Sequence, residues 1–283
     1  MEDEEGAQNL TPLEHTIEAE LAPAIPTEPV TAPESREAGD RSMERGHVGE
    51  AIRQYRRAVQ MQSNDAEYRT TLGDAYAYAD MGAKAVTQYR KAIKISPRRA
   101  APHFSLAELL RRFGKLHAAV AEYRLAAQLN STNAFYRYKL GDALCALGRL
   151  DEALPELEAA RDLEPHNGFY HFWLGDLYGR LGRVSEAVIE MQQATIFSPV
   201  DDYYNVRLGL LYLQMGCAAD AVHAFRTALR IAPENASYHC LLGDAYTRLG
   251  RHAQAKAHYR FAGRLDPYDT AYVERMRQLA LDE

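Results

Sequence analysis

Apolar positions along this chain recur at helical spacing inside a much longer period. Between Ala66 and Pro97, Leu72, Gly73 and Tyr76 fall on one side of a first predicted helix, and Ala85, Tyr89 and Ala92 on one side of a second. Spacings of three, four and seven give each helix an apolar stripe for its neighbour, with polar residues opposite. The turn between them is predicted around Met81-Gly82, and Pro97 ends the pair because it lacks the N–H that a continuing helix needs. The whole pattern then returns. Seven alanines stand 34 residues apart, at Ala51, Ala85, Ala119, Ala153, Ala187, Ala221 and Ala255, and a second ladder runs in step at Ala58, Ala92, Ala126, Ala160, Ala194, Ala228 and Ala262. A fixed period of this size means one helix pair stacked on copies of itself, so an all-α repeat array is expected rather than a globule around a central pocket.

The rest of the pattern keeps the same register. Leucine followed by a small residue appears at Leu72-Gly73, Leu106-Ala107, Leu140-Gly141, Leu174-Gly175, Leu208-Gly209 and Leu242-Gly243. A large second-helix residue recurs as Tyr55, Tyr89, Tyr123, Leu157, Met191, Phe225 and Tyr259, and closing prolines stand at Pro97, Pro165, Pro199, Pro233 and Pro267, with Ser131 once in their place. A small residue is needed where two helix axes cross closely, since a larger one overpacks by roughly 1–3 kcal/mol. These positions resemble the tetratricopeptide repeat family. The resemblance implies a right-handed superhelical solenoid of antiparallel helix pairs, with a concave groove lined by first helices, where members commonly hold a peptide or helix of another protein.

It covers residues 66–269 as six full 34-residue repeats, with a degenerate repeat at 41–65 and a capping helix at 270–283 carrying Glu274, Arg275, Arg277 and Gln278. In the first unit Ala38 stands where leucine is expected, Ser42 where tyrosine is expected, and Pro33 sits nearby, so the helix face around Tyr55 is expected to be under-covered. Self-association through that N-terminal end is one consequence, because solenoids need polar caps to stay monomeric. Pro155 is expected to bend its second helix slightly.

By the resemblance, positions two, five, nine, twelve and thirteen of each first helix face the groove. Position two supplies Phe135, Phe169 and Tyr203, and position five supplies Phe104, Tyr138 and Phe172. Aromatics offer large contact areas at low entropic cost, which suits a peptide-binding groove, but the same rings also serve to bridge adjacent first helices as core. Position nine is acidic at Asp74, Glu108, Asp142, Asp176 and Asp244. Three of these precede an arginine by four residues (Arg112, Arg180, Arg248), the favourable helical pairing; Asp74 and Asp142 do not, and are the candidates for contacting a cationic group of a ligand. Members that grip chaperone C-terminal carboxylates carry lysine at position five and asparagine at position nine; Thr70, Phe104, Tyr138, Phe172, Val206 and Cys240 at position five exclude that clamp.

Composition changes the picture only at the N-terminus. Residues 1–40 contain eleven acidic residues against Arg36 alone, and are read as an acidic, mostly disordered tail. Within it Thr11-Pro12-Leu13-Glu14 opens a possible short helix at 12–21 whose Leu13, Ile17 and Leu21 form an apolar edge, which either folds only when docked near Tyr55 or on a partner, or is a transiently helical tail with no specific role. The net charge of −6 leaves about +4 on the remainder, with no basic stripe, so no nucleic acid is expected as partner. No apolar run is long enough for direct membrane insertion. Cys145, Cys217 and Cys240 form no C-x-x-C pair, which fits reduced thiols and a cytoplasmic location. His103, His171 and His239 occupy packing positions, and neither a metal motif nor a catalytic constellation nor a cofactor loop is found.

These observations point to a non-enzymatic interaction scaffold or adaptor that takes a protein or peptide ligand in its groove. The alternative is an assembly factor or structural subunit of a larger complex, working through its N-terminal end and convex face.

Overall fold

The computed structural model describes residues 31–268 and 270–281. The described residues form fifteen α-helices and no strand. They fall into two compact units that divide between Leu147 and Gly148. The first unit contains α1 (Ala32–Glu44), α2 (Val48–Met61), α3 (Ala66–Tyr78), α4 (Gly82–Ile95), α5 (Ala100–Arg112), α6 (Leu116–Leu129) and α7 (Ala134–Ala146). The second contains α8 (Leu150–Leu163), α9 (Gly168–Arg180), α10 (Val184–Phe197), α11 (Asp202–Gln214), α12 (Ala218–Ile231), α13 (Ala236–Arg248), α14 (His252–Leu265) and α15 (Ala271–Leu281). Within each unit, consecutive helices pack as neighbours, and first helices alternate with second ones.

Local chemistry sets these boundaries. The side chains of Asp65, Asn133, Asn167, Asp201 and Asn235 cap first helices by accepting from backbone N–H groups in the first turn. First helices end over a left-handed residue, as at Gly114 (φ 71°), where the Lys115 N–H reaches back to the Leu110 carbonyl at 2.9 Å. The turn predicted at Met81-Gly82 is placed differently. Asp80 takes the left-handed conformation (φ 60°), the one non-glycine to do so among the described residues, while Gly82 already belongs to α4. Gly82 is small for another reason: a Cβ there would run into the Phe113 ring.

The alanine ladders lie in the core of each unit. Ala51, Ala85, Ala119, Ala153, Ala187, Ala221 and Ala255 are all 0% exposed, so any larger side chain would push helices apart. Gly73 lets the Tyr89 ring lie against its backbone, where an added Cβ would sit 2.5 Å from the ring. Pro155 lies inside α8, which continues through it without a break.

Two expectations about the N-terminal end are overturned. Residues 32–40, assigned to a disordered tail, form most of α1, and the first helix of the first repeat is not poor. Thr31 and Glu34 close a full capping box, with Pro33 in the first turn where its missing N–H costs nothing. The Tyr55 face is therefore covered: Gly39 lies against the Tyr55 ring, Asp40 accepts its hydroxyl at 2.7 Å, and Tyr55 is buried. The segment 12–21 lies outside the described residues. At the other end, the Tyr272 ring of α15 lies against Gly263, and Met276 packs on the core of the second unit.

Candidate functional site

The acidic residues at position nine are built into the fold in a way that spacing along one helix does not reveal. Tyr55, Tyr89, Tyr123 and Tyr259, the buried second-helix tyrosines, each donate a hydroxyl to an acid fifteen residues earlier: Asp40, Asp74, Glu108 and Asp244. Burial and the neighbouring carboxylate push the pKa of Tyr89 and Tyr259 well above the usual phenol range, so these hydroxyls remain donors. The expected pairs with arginine four residues on are not the ones formed. Instead the partners stand 31 residues on, at position six of the next repeat: Glu108 with Lys139 (3.0 Å), Asp176 with Arg207, and Asp244 with Arg275 (2.8 Å). Arg112 turns to the Ala77 carbonyl at 2.9 Å, and Arg248 to the Leu213 carbonyl at 2.7 Å. One step of this ladder is apolar on both sides, Leu210 and Leu241, which line one depression in the second unit.

Of the two acids proposed for a ligand, Asp142 is engaged: Arg111 holds it at 2.8 Å. Asp74 is different, because the residue 31 positions on is Ser105. Its carboxylate accepts from Tyr89 at 2.8 Å and from the Ser105 hydroxyl, and it has no ion pair among the described residues. The residue remains open to solvent, yet the protein packed around the carboxylate desolvates it and raises its pKa despite those two hydrogen bonds. Asp74 lines an open depression of about 830 Å³ in the first unit, with Tyr78, Phe104, Ser105, Leu109 and Arg111 among its other walls. The remaining charged groups there, Glu108, Arg111 and Arg112, are all paired.

The six aromatics divide by exposure into two kinds. Tyr138 and Phe172 are only 8% and 7% exposed, and Phe172 bridges the first helices α9 and α11. Phe172 stacks on Tyr204 at 4.6 Å, and Phe104 stacks on Tyr136 at the same distance. Phe135 and Tyr203, by contrast, are 42% and 50% exposed, and Phe104 and Phe169 are half-buried. In the first unit Phe104, Phe135 and Tyr138 form one cluster; in the second, Phe169, Phe172 and Tyr203 surround Trp173 and Tyr204. Tyr78, at position thirteen of its first helix and so on the groove side by the resemblance, was not named among the expected site residues; it is 69% exposed at the edge of the Asp74 depression.

The family model described as tetratricopeptide repeat matches residues 36–100, 70–134, 138–202 and 206–270, most of the chain. The chain belongs to the tetratricopeptide repeat family. No curated protein matches it by sequence. Among solved structures it is similar to YrrB, described as a tetratricopeptide repeat protein with an unusual peptide-binding site, at 22% identity and TM-score 0.59, over 67% of this chain and 97% of that one. It is also similar to pilF of Pseudomonas aeruginosa (20% identity, TM-score 0.59, 75% and 97% covered). The C-terminal part of a repeat protein from Cytophaga hutchinsonii gives 15% identity and TM-score 0.71, over 84% and 98%. At these identities the likeness is one of fold. Tetratricopeptide repeats are protein-interaction scaffolds, and the chain is one of that general kind.

Two further features of this tetratricopeptide array complete the inventory. At position four, His103, His171 and His239 each reach the carbonyl of a closing proline six residues back, at 3.2, 3.0 and 3.1 Å. The other ring nitrogen meets Glu122 and Glu190 at 2.7 Å in the first two cases, and His258 at 3.1 Å in the third. Burial opposes a charge on His171, but its hydrogen bonds to Glu190 and Pro165 prevail and raise its pKa. For His258, burial, His239 and Arg226 together lower it.

The second feature is a basic stripe, contrary to expectation. Residues 82–99 carry Lys84, Arg90, Lys91, Lys94, Arg98 and Arg99 and no acid. Overall charge masked them. No group of His, Cys, Asp or Glu among the described residues is arranged to hold a metal ion, and no described helix is long and apolar enough to cross a membrane.

Proposed function

We propose that this protein is a non-enzymatic scaffold that takes a partner segment on the first-helix face of its first unit. The segment brings a lysine or arginine to Asp74 and an apolar side chain to Tyr78 and Phe104. The observation that carries this reading is Asp74 itself, a carboxylate in an open depression with a raised pKa and no cation of its own. A cation arriving there replaces lost solvation, and the adjacent exposed rings supply contact area with few torsions to immobilise. Phe135 extends the apolar surface in the first unit. In the second unit Phe169 and Tyr203 offer a comparable apolar patch. The similar structure of YrrB, described as having an unusual peptide-binding site, supports the class of ligand.

The test is selection of peptides from a random library on the full chain, followed by titration against Asp74→Asn and Tyr78→Ala. Selected peptides are expected to place a basic residue near an apolar one, and to lose about tenfold or more in affinity for each variant, equivalent to about 1.4 kcal/mol. Asp74→Asn keeps an acceptor for Tyr89 and removes an ionised group whose pKa the fold raises, so its stability should not fall. Peptides that bind wild type and Asp74→Asn equally would refute the site.

A further inference from the structure

The outward side of α4 is a separate surface with its own chemistry. The chain has six lysines, and three of them, Lys84, Lys91 and Lys94, lie on this one helix. Arg90, Lys91, Lys94 and Arg98 are exposed, and none of the four has a hydrogen bond or ion pair among the described residues. Arg90 and Lys94 are four apart on α4, and Lys91 and Lys94 three apart, so like charges sit side by side and each pair costs a few tenths of a kcal/mol. The matching positions of α6 read Arg124, Leu125 and Gln128, a single charge in place of three. A cluster of like charges that the fold leaves uncompensated fits an anionic occupant.

We infer that the occupant is the acidic N-terminal segment of the same chain. Residues 1–30 hold eight acids (Glu2, Asp3, Glu4, Glu5, Glu14, Glu18, Glu20, Glu28) and neither lysine nor arginine. The described residues begin at Thr31, and α1 is linked to the residues that follow α4 through Glu67, which Arg36 and Arg99 share at 2.7 Å each. Thirty residues reach on the order of 100 Å when extended, more than a path from Thr31 past Glu67 and Arg99 to Lys91 requires. Tethering gives the segment an effective concentration in the millimolar range, which an untethered acidic partner or nucleic acid has to overcome. The contact is electrostatic and exposed, with a screening length of about 8 Å at physiological ionic strength, so it weakens as salt rises. Held there, the segment neutralises the second-helix side of α4 and leaves the Asp74 face untouched.

Carbodiimide coupling of the dilute full chain tests this, because the reagent joins carboxylates to lysine amines that are already in ion-pair contact. Mass spectrometry of the monomer band should find links from residues 2–20 to Lys91 and Lys94. Their yield should fall about fivefold or more in roughly 0.5 M salt, where the screening length is under about 5 Å. The double variant R90Q/R98Q removes two cations, adds no carboxylate that could itself couple to the lysines and touches no core residue; it should lower the yield similarly while the far-ultraviolet circular dichroism stays native. Links at equal yield to Lys115, Lys139 or Lys256, links found only in a dimer band, or yields unmoved by R90Q/R98Q would overturn the proposal. The first would mean unspecific contact, and the second a segment from another copy.

Discussion

Replacing Asp244 by leucine should destabilise the second unit by about 2 kcal/mol, and replacing Tyr259 and Arg275 as well should restore most of that loss. Asp244 accepts the Tyr259 hydroxyl at 2.8 Å and the Arg275 Nε at 2.8 Å. Its side chain is 25% exposed and that of Arg275 34%. Hydrogen bonds to charged groups are worth about 1.5–3 kcal/mol, and partial exposure lowers this, so the two contacts together support a loss of about 2 kcal/mol. Tyr259 is 1% exposed and cannot turn to water, which leaves its hydroxyl with Thr247 at 3.2 Å as sole partner. The preceding repeat carries the apolar solution in full, with Leu210, Phe225 and Leu241 in the same register. The triple variant D244L/Y259F/R275L copies it and should lie within about 1 kcal/mol of wild type, because removing both partners of a polar contact is far less costly than stranding one. Urea titration followed by circular dichroism and by Trp173, the single tryptophan and a residue of the same unit, measures the difference. If the triple variant is as unstable as Asp244→Leu alone, the tyrosine–acid–cation step is not a coupled element.

Other outcomes follow from single positions. Asp80→Gly should raise stability by about 0.5–1 kcal/mol, since a non-glycine residue is strained at φ 60° and the Arg112 pair it gives up is long, at 3.4 Å, and exposed; a lowered melting temperature would contradict this. Phe172→Ala should cost about 3–5 kcal/mol as a core truncation, with a shift in Trp173 emission, so any lost binding in that variant reports unfolding rather than a missing contact. His258 has a lowered folded pKa, so its contribution is present above about 6.5 and is lost as pH falls through the folded value. His171, raised, behaves oppositely, contributing fully below about 6.5 and less as pH rises through its folded value. His258→Gln should therefore flatten the acid side of the stability profile of the second unit, measured as urea midpoints between pH 5.5 and 7.5, and an unchanged slope would refute the pairing with His239.

The repeat and its helix pairs were legible in the sequence because a period of 34 shows in residues that tolerate no substitution: alanines at 0% exposure and small residues beneath a ring. The first helix was misread for a definite reason. Ala38 and Ser42 replace the two residues by which a first helix is recognised, yet Gly39, Asp40 and the Thr31–Glu34 capping box were all in register and outweigh them. The Ser42 hydroxyl, bonded to the Ala38 carbonyl at 2.8 Å, fits the helix where a tyrosine was expected. The acid–cation pairs were visible too, but only at a separation of 31, which crosses from one repeat to the next and lies outside the helical spacings used to look for partners. What could not be read was which ring of a neighbouring pair faces out. Phe135 and Tyr138 are three residues apart on one helix face, and only the packing of Phe104 and Tyr136 around them decides that the first is exposed and the second buried.

The ladder between positions nine and six gives a criterion for finding the working part of such a surface. Where acid meets cation, or leucine meets leucine, the step is complete and asks nothing of a ligand. Glu108 with Lys139, Asp176 with Arg207, Asp244 with Arg275, and Leu210 beside Leu241 are steps of that sort. Asp74 opposite Ser105 is charged on one side and only hydroxylic on the other, and unlike Asp40 with Arg36 or Asp142 with Arg111 it takes no cation from elsewhere among the described residues, so its step is incomplete. An array that needed no partner would gain by completing it, with lysine at 105 or leucine at 74. The same reasoning picks out α4, where Arg90, Lys91, Lys94 and the following Arg98 have no ion pair among the described residues. Both exceptions lie in the first unit, on different faces of neighbouring helices, and their opposite signs require different occupants. Asp74→Leu and R90Q/R98Q should then each weaken one interaction and spare the other. A single variant that removed both would show that one partner spans the two faces.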